Sequence, residues 1–422
     1  MAATDMAEPG GMAARTPRLA VGTELIGPVA GSGLREPPYL VGRPDGQIVQ
    51  LSHLLFLVAA GSDGRSDEAE IAARLSRELA RPVSPGNVRY LLDEKLAPLG
   101  LLDGSAPAKR VEPLLGLRFR VGVVPPRVVD VIGRLLSPLF WPPIVGAVIA
   151  VLVWVDVWLL AVHGLGASVA GVIYQPTLLL GMTAAMVLSL AFHELGHAAA
   201  CRYEGVRPGT IGVGIYLIWP AFYTDLTSTY RLGRIGRLRA DLGGVYFNAI
   251  VALAAAGAYL VTRFEPVLLM VVIAQLQILD QFVPWLRLDG YYVVSDLIGV
   301  SDLFARIRPV LRSLLPRRPP DPRVRELRPW ARAAVTVWVM TAIPLLAGLL
   351  AFVVYHAPRM VAMSYDSLLV QVDGLVAGLA GGRLGEALLR ALAAALLIAP
   401  VVGLALNAGA FGVRGVRALA RR

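Results

Sequence analysis

Apolar and polar positions divide the chain into two regimes. Residues 20–104 mix short apolar runs with charged stretches, whereas from residue 139 onward long uncharged runs dominate. In the first regime, "YLVGRPDGQIVQLS" (residues 39–52) alternates apolar and polar residues around Pro44-Asp45-Gly46, which predicts a β-hairpin. Ser52 is placed to cap a short helix running through Ala60. In "SDEAEIAARLSRELA" the apolar residues Ile71, Leu75 and Leu79 recur every four positions, predicting a helix from near Ser66. Ser84 as cap and Pro85 at the first helical position predict a third helix, with Val88, Leu91, Leu92 and Leu96 as its apolar stripe. In the second regime six spans are expected, at 139–162, 176–200, 243–262, 266–284, 332–355 and 387–411. Each is close to the ~20 apolar residues that cross a hydrocarbon core. The span at 266–284 is the most polar, through Gln275, Gln277, Asp280 and Gln281.

One stretch fits neither pattern. "GTIGVGIYLIWPAFYTDLTSTYRL" (residues 209–232) is β-branched, aromatic and glycine-rich, too broken for a span, and predicts a hairpin or re-entrant loop.

Composition sharpens this reading. Mean hydropathy is +0.63, and 56% of the 422 residues are hydrophobic. The fold class expected is a polytopic α-helical membrane protein of about six transmembrane helices with a small α+β, winged-helix-like N-terminal domain. The formal net charge of +10 is mostly arginine clustered beside apolar runs, with no basic stripe of interleaved aromatics. That is the pattern of membrane topology and speaks against a nucleic-acid partner. Arg202, Arg207, Arg231, Arg234, Arg237 and Arg239 lie in one loop, and 285–331 and the C-terminal tail are basic too. The alternate loops at 163–175 and 263–265 are nearly free of basic residues, and at 356–386 Arg359 and Arg383 are offset by acidic residues. The positive-inside rule therefore predicts cytoplasmic N- and C-termini in a bacterial-type inner membrane. The N-terminus has no apolar core of signal-peptide length, so no cleaved signal is expected. The single cysteine, Cys201, excludes an internal disulfide framework. The expected organisation is a disordered tail at 1–19, the small domain at 20–104 and a basic linker at 105–137. A transmembrane core at 138–300, a basic loop at 301–331 and C-terminal helices and tail at 332–422 complete it.

The candidate chemistry sits at the end of the second span, in "VLSLAFHELGHAAACRYEG". His193 and His197 are four apart, so on a helix their imidazoles project from nearly one face and can share one zinc ion. Glu194 lies about 100° around, near enough to act as general base toward water. Ionisable groups inside a membrane are costly and by default functional. A catalytic zinc needs a third protein ligand. Position 203 is Tyr203, so the extended motif with a third histidine fails. Cys201 would lie about 12 Å along the axis from His193, too far to share an ion, and reads as a packed residue. The better candidate is Asp289 in "QFVPWLRLDGYYVVSDLIGV", after Pro284 interrupts the fourth span, with Gly290 behind it. In the topology above, both elements end on the cytoplasmic side. Asp225 is a further candidate, as hydrogen-bond partner to a ligand histidine.

These motifs resemble the site-2 protease family of intramembrane zinc metalloproteases, over roughly residues 176–300. The resemblance implies one Zn2+ per chain held by His193, His197 and Asp289, with Glu194 as the base. "GGVYFNA" (243–249) resembles the family's small-residue segment ending in Asn and implies that Asn248 lies near the site. Val283 stands where the family has Asn before the proline, so Asn248 or Gln281 is the candidate substrate or oxyanion donor. "LDGYYVVSDL" and "IYLIWPAFYTDLT" are closest to the peptide-processing subgroup, including the daptide type of ribosomal peptide pathway. Residues 20–104 resemble a PqqD-like leader-recognition domain. Together the resemblances imply a membrane zinc endopeptidase that removes a leader from a ribosomally made precursor. Its expected partners are that precursor or a membrane-embedded peptide, and membrane lipid. The alternatives are a regulatory protease releasing a membrane-tethered factor, or a non-proteolytic metal-binding transporter or immunity protein.

Overall fold

The computed structural model describes residues 15–106, 116–164, 176–315, 319 and 321–419. Residues 1–14 of the expected tail, Lys109 and Arg110 of the expected linker, most of the 163–175 loop and the last three residues lie outside the described residues. The chain forms two compact units, Met1–Val111 and Glu112–Arg422.

The first unit holds an antiparallel sheet of β1 (Glu24–Pro28), β2 (Tyr39–Gly42) and β3 (Ile48–Leu51), in that order. The β2–β3 hairpin turns at the expected place, with the Arg43 N–H donating to the Gln47 carbonyl at 2.8 Å and Gly46 at φ +81°. β1 is not foreshadowed in the sequence, because its register slips between Leu25 and Gly27 and the bulge breaks the alternation. Three helices follow: α1 (His53–Gly61), α2 (Glu68–Glu78) and α3 (Pro85–Leu91). Ser52 caps α1 by accepting from the Leu55 N–H, and Ser84 caps α3 by accepting from Asn87. α2 starts with a reciprocal capping box between Asp67 and Glu70. The core is Val41, Leu51, Val58, Ile71, Leu75, Val88, Leu92 and Leu96, every one at most 2% exposed. The stripes read from the sequence supply most of it. Residues 15–19, read as tail, are instead tied down: Arg15 pairs with Asp93, Arg18 bridges to Asp63 and Leu19 to Leu102.

The second unit is mainly helical. Among the described residues, five stretches are long and apolar enough to cross a membrane: Pro142–His163, Gly181–Tyr203, Gly243–Thr262, Pro329–Arg359 and Leu384–Gly403. The fourth expected span, 266–284, contains only a 14-residue helix. At 1.5 Å per residue that is about 21 Å, short of the ~30 Å hydrocarbon core. Pro266 and Pro284 bracket it. Its polar residues pair inside the unit: Gln275 donates to Asp156 at 2.6 Å, and Ser189 donates to Gln277 at 2.9 Å. A second difference lies at 356–386, read as a loop. The helix beginning at Pro329 continues to Ala380 through Pro344 and Pro358, then turns at Gly381-Gly382 into a helix over Leu384–Leu419. An internal proline removes one backbone hydrogen bond and kinks a helix without having to end it.

Part of the expected linker is also built. Residues Arg118–Val124 form β4, and Pro126–Leu136 form α4, which leads toward α5 (Pro142–Trp158). α6 (Pro176–Tyr203) is followed by β5 (Ile211–Tyr216) and β6 (Trp219–Thr224), joined by a two-residue turn at Leu217-Ile218. β4, β5 and β6 make an antiparallel sheet in that order. The irregular stretch after the two histidines is therefore the hairpin its composition predicts. α7 (Arg234–Asp241) then leads into α8 (Gly243–Thr262), which crosses α6 where Gly196 and Gly243 touch backbone to backbone. α9 (Leu268–Gln281) and α10 (Asp289–Ile298) complete the part that surrounds the histidines.

Candidate metal centre

The buried end of α6 carries the three polar residues. His193, Glu194 and His197 are 4%, 8% and 5% exposed. Their i, i+4 spacing brings the two imidazole Nε2 atoms to 3.2 Å. Asp289, the first residue of α10, places Oδ2 3.3 Å from His193 Nε2 and 3.4 Å from His197 Nε2. The three atoms thus form a nearly equilateral triangle drawn from elements almost a hundred residues apart. Ligands about 2.0–2.1 Å from a tetrahedral zinc ion lie about 3.3 Å from one another. Buried Asp289 Oδ2 and His193 Nδ1 have no hydrogen-bond partner among the described residues. An electron-rich triangle with an orphaned buried carboxylate oxygen fits a cation, and two imidazoles with one carboxylate fit zinc.

The hydrogen bonds around the triangle set its protonation. His197 Nδ1 lies 2.8 Å from the Ala240 carbonyl, which can only accept, so Nδ1 carries a proton and Nε2 is the ring nitrogen turned toward Asp289. Burial acts to raise the Asp289 carboxyl, but the adjoining histidines outweigh it and hold the group below the usual carboxylate range. The loop before Asp289 is fastened from three sides. Trp338 Nε1 donates to the Pro284 carbonyl at 2.8 Å, and the Arg287 N–H donates to the Tyr216 hydroxyl at 2.8 Å. The Arg287 guanidinium reaches Asp302 at 2.8 Å and lies over the Tyr291 and Phe304 rings. Gly290 packs against the Gln281 and Phe282 backbone, where a Cβ would come within 2.7 Å of Phe282.

α8 covers the histidines from the other side. A Cβ on Gly244 would lie 2.4 Å from His193 Nε2 and 2.6 Å from His197 Nε2. One turn further on, Asn248 is 1% exposed, and among the described residues neither its Nδ2 nor its Oδ1 has a hydrogen-bond partner. Gln281 Oε1 lies 3.5 Å from the Asp289 N–H, so its amide faces the start of α10. Asp225 does not serve a histidine: its Oδ1 accepts from the Thr227 N–H and hydroxyl at 3.0 and 2.6 Å, closing a turn at the end of β6. The place anticipated for it is taken by the Ala240 carbonyl. Cys201 is fully buried among Phe140, Ala199, Ala240 and Phe247, as a packed residue.

Gly244 belongs to the small-residue segment already singled out, whereas three participants were not singled out as site residues: Ala240, Tyr216 and Thr224. The Thr224 hydroxyl lies 2.7 Å from Glu194 Oε2 and 3.0 Å from the Glu194 carbonyl oxygen. A further carboxylate lies beside the site. Asp241 follows Ala240, and burial together with the neighbouring Asp296 carboxylate pushes it well above the usual carboxylate range. Asp296 is paired with Arg237 at 2.9 Å.

Comparison with known proteins points the same way. The chain is 23% identical over 121 residues to the "Putative peptide zinc metalloprotease protein YydH" of Bacillus subtilis (strain 168). The similarity covers 28% of this chain and 47% of that protein, so it spans about half of the relative's length. No family model matches the chain, and no solved structure matches it. Independently of that similarity, the chain has helices long and apolar enough to cross a membrane and a buried His–His–Asp group that could hold a metal ion.

Proposed function

We propose that this chain is an intramembrane zinc endopeptidase of the site-2 protease type that cleaves the leader from a ribosomally made precursor peptide. The observation that carries the reading is the triangle of His193 Nε2, His197 Nε2 and Asp289 Oδ2, with Glu194 next to it on the same apolar helix. These three side chains would hold one ion, and zinc supplies Lewis acidity toward water and a peptide carbonyl. Glu194 takes the proton from the attacking water and delivers it to the leaving amine. The unpartnered amide of Asn248 is the donor available to the developing oxyanion, with Gln281 as the alternative. The β5–β6 hairpin offers an extended substrate a strand to pair with; a helix would hide the amide that must be attacked. The N-terminal unit, with its small sheet, captures the leader and raises the precursor's concentration at the membrane. The arginines that follow His197, from Arg202 to Arg239, support a cytoplasmic N-terminus and an active site near that face.

The test compares intact masses of peptides and proteins in a host carrying wild-type protein and one carrying Glu194→Gln. A short uncleaved precursor accumulating in the variant is the expected result. A membrane-tethered regulator accumulating instead would move the substrate to signalling proteins. Identical profiles would overturn the proteolytic reading.

A further inference from the structure

We propose that Thr224 is a positioning residue for Glu194, fixing the carboxylate that acts as base; this rests on the proteolytic reading above. The geometry is specific. One hydroxyl faces two oxygens of the same residue, Oε2 at 2.7 Å and the main-chain carbonyl at 3.0 Å. The side-chain oxygen is the nearer of the two, so it accepts the shorter hydrogen bond from the hydroxyl. A glutamate on a helix otherwise turns about three side-chain torsions, and holding one carboxylate oxygen removes most of that freedom.

The anchor is itself rigid. Thr224 is the last residue of β6 and pairs with Ile211 of β5. The pairing extends one step beyond it, through Asp225 N–H to Thr210 O at 2.9 Å and Gly209 N–H to Asp225 O at 2.8 Å. Asp225 is then locked by its turn with Thr227. That turn, which does not touch the histidines, thus steadies the residue that holds the base. The other end of the hairpin reaches the second half of the site, because the Tyr216 hydroxyl accepts from the N–H of Arg287, two residues before Asp289. The hairpin on which we seat the substrate therefore touches both the base and the ligand loop. A peptide that draws β6 out of register would disturb Glu194 through Thr224, which ties correct docking to a competent base.

Thr224→Val keeps the shape and removes the hydroxyl, and Thr224→Ser keeps the hydroxyl and removes the methyl. Purified full-length protein in detergent is loaded with zinc and given the uncleaved peptide that accumulates in the Glu194→Gln host. We expect Thr224→Val to lower kcat about 10- to 100-fold, the range for losing a partner that orients a group at a metal site. KM and zinc per chain should stay at the wild-type values, and Thr224→Ser should restore kcat to within about threefold. A second readout does not depend on turnover. The infrared carboxylate band lost on Glu194→Gln should shift when the same subtraction is made in the Thr224→Val background. Wild-type kcat in Thr224→Val, or an unmoved band, would overturn the proposal. Loss of zinc or of folded protein in both variants would make Thr224 a structural tie instead. If wild-type protein and Glu194→Gln behaved alike toward the peptide, the proteolytic reading itself would fall.

Discussion

Gly244→Ala probes the centre without touching any ligand. A Cβ at that position lies 2.4 Å from His193 Nε2 and Cε1 and 2.6 Å from His197 Nε2. Comfortable contact starts at about 3.5 Å, so the imidazoles or α8 must move by about 1 Å. Metal–ligand distances tolerate roughly 0.2 Å, so a displacement of that size cannot be absorbed at the ion. Nor does α8 have room to retreat, since Phe247, Asn248, Ala252 and Ala256 along it are buried. Overpacking a well-filled site costs about 1–3 kcal/mol, which is about 5- to 150-fold in zinc affinity if the metal-bound state bears the strain. The assay is zinc competition against a chromophoric chelator, with total zinc per chain by mass spectrometry, on protein purified in detergent. Gly257→Ala on the same helix is the control, because a Cβ there meets nothing within 4 Å. It should leave zinc binding unchanged and stabilise the helix by about 0.5–1 kcal/mol if it does anything. Wild-type affinity in Gly244→Ala would refute the reasoning, since the helix would then have yielded without cost and α8 would not shape the centre.

Asp289→Ala should strip the third ligand and lower zinc per chain at a fixed chelator concentration, whereas Glu194→Gln should leave it unchanged; full occupancy in Asp289→Ala would place the third ligand elsewhere. Leu92→Ala removes a side chain that is 0% exposed in the core of the first unit. It should cost about 2–5 kcal/mol, seen as faster amide exchange across α1–α3 of the full-length protein with no change in zinc content. Loss of zinc in that variant would contradict the division into two units.

The parts of this molecule that were legible in the sequence are those where one residue type has one affordable place. Two histidines and a glutamate at the end of an apolar helix, and an aspartate after a proline-broken one, are too costly to bury without a partner, so each pointed to the same centre. Ser52 and Ser84 were legible as caps for a similar reason, because the first turn of a helix leaves N–H groups that a hydroxyl satisfies. The span at 266–284 misled because hydropathy counts residues one at a time. Gln275 and Ser189 find Asp156 and Gln277 inside the unit, and those pairings make a short polar helix stable where a window average suggests a strained span.

The groups that build the centre without binding anything were hidden for the opposite reason. The small-residue segment at 243–249 drew attention to α8, but that Gly244 in particular matters is set by how closely α8 passes His193, and many of the chain's 43 glycines face no such neighbour. The Ala240 carbonyl belongs to the backbone, so any residue could supply it. Thr224 resembles every other strand threonine until β6 is placed against α6. Each matters through a close approach between elements distant in sequence, and a single sequence carries the identity of a residue but not its distances. Substitutions at these silent positions therefore discriminate better than ligand replacements do. Removing His193 would abolish zinc binding in almost any arrangement of the chain, whereas Gly244→Ala and Thr224→Val fail selectively only if α8 and the hairpin pack against the histidine helix as they do here.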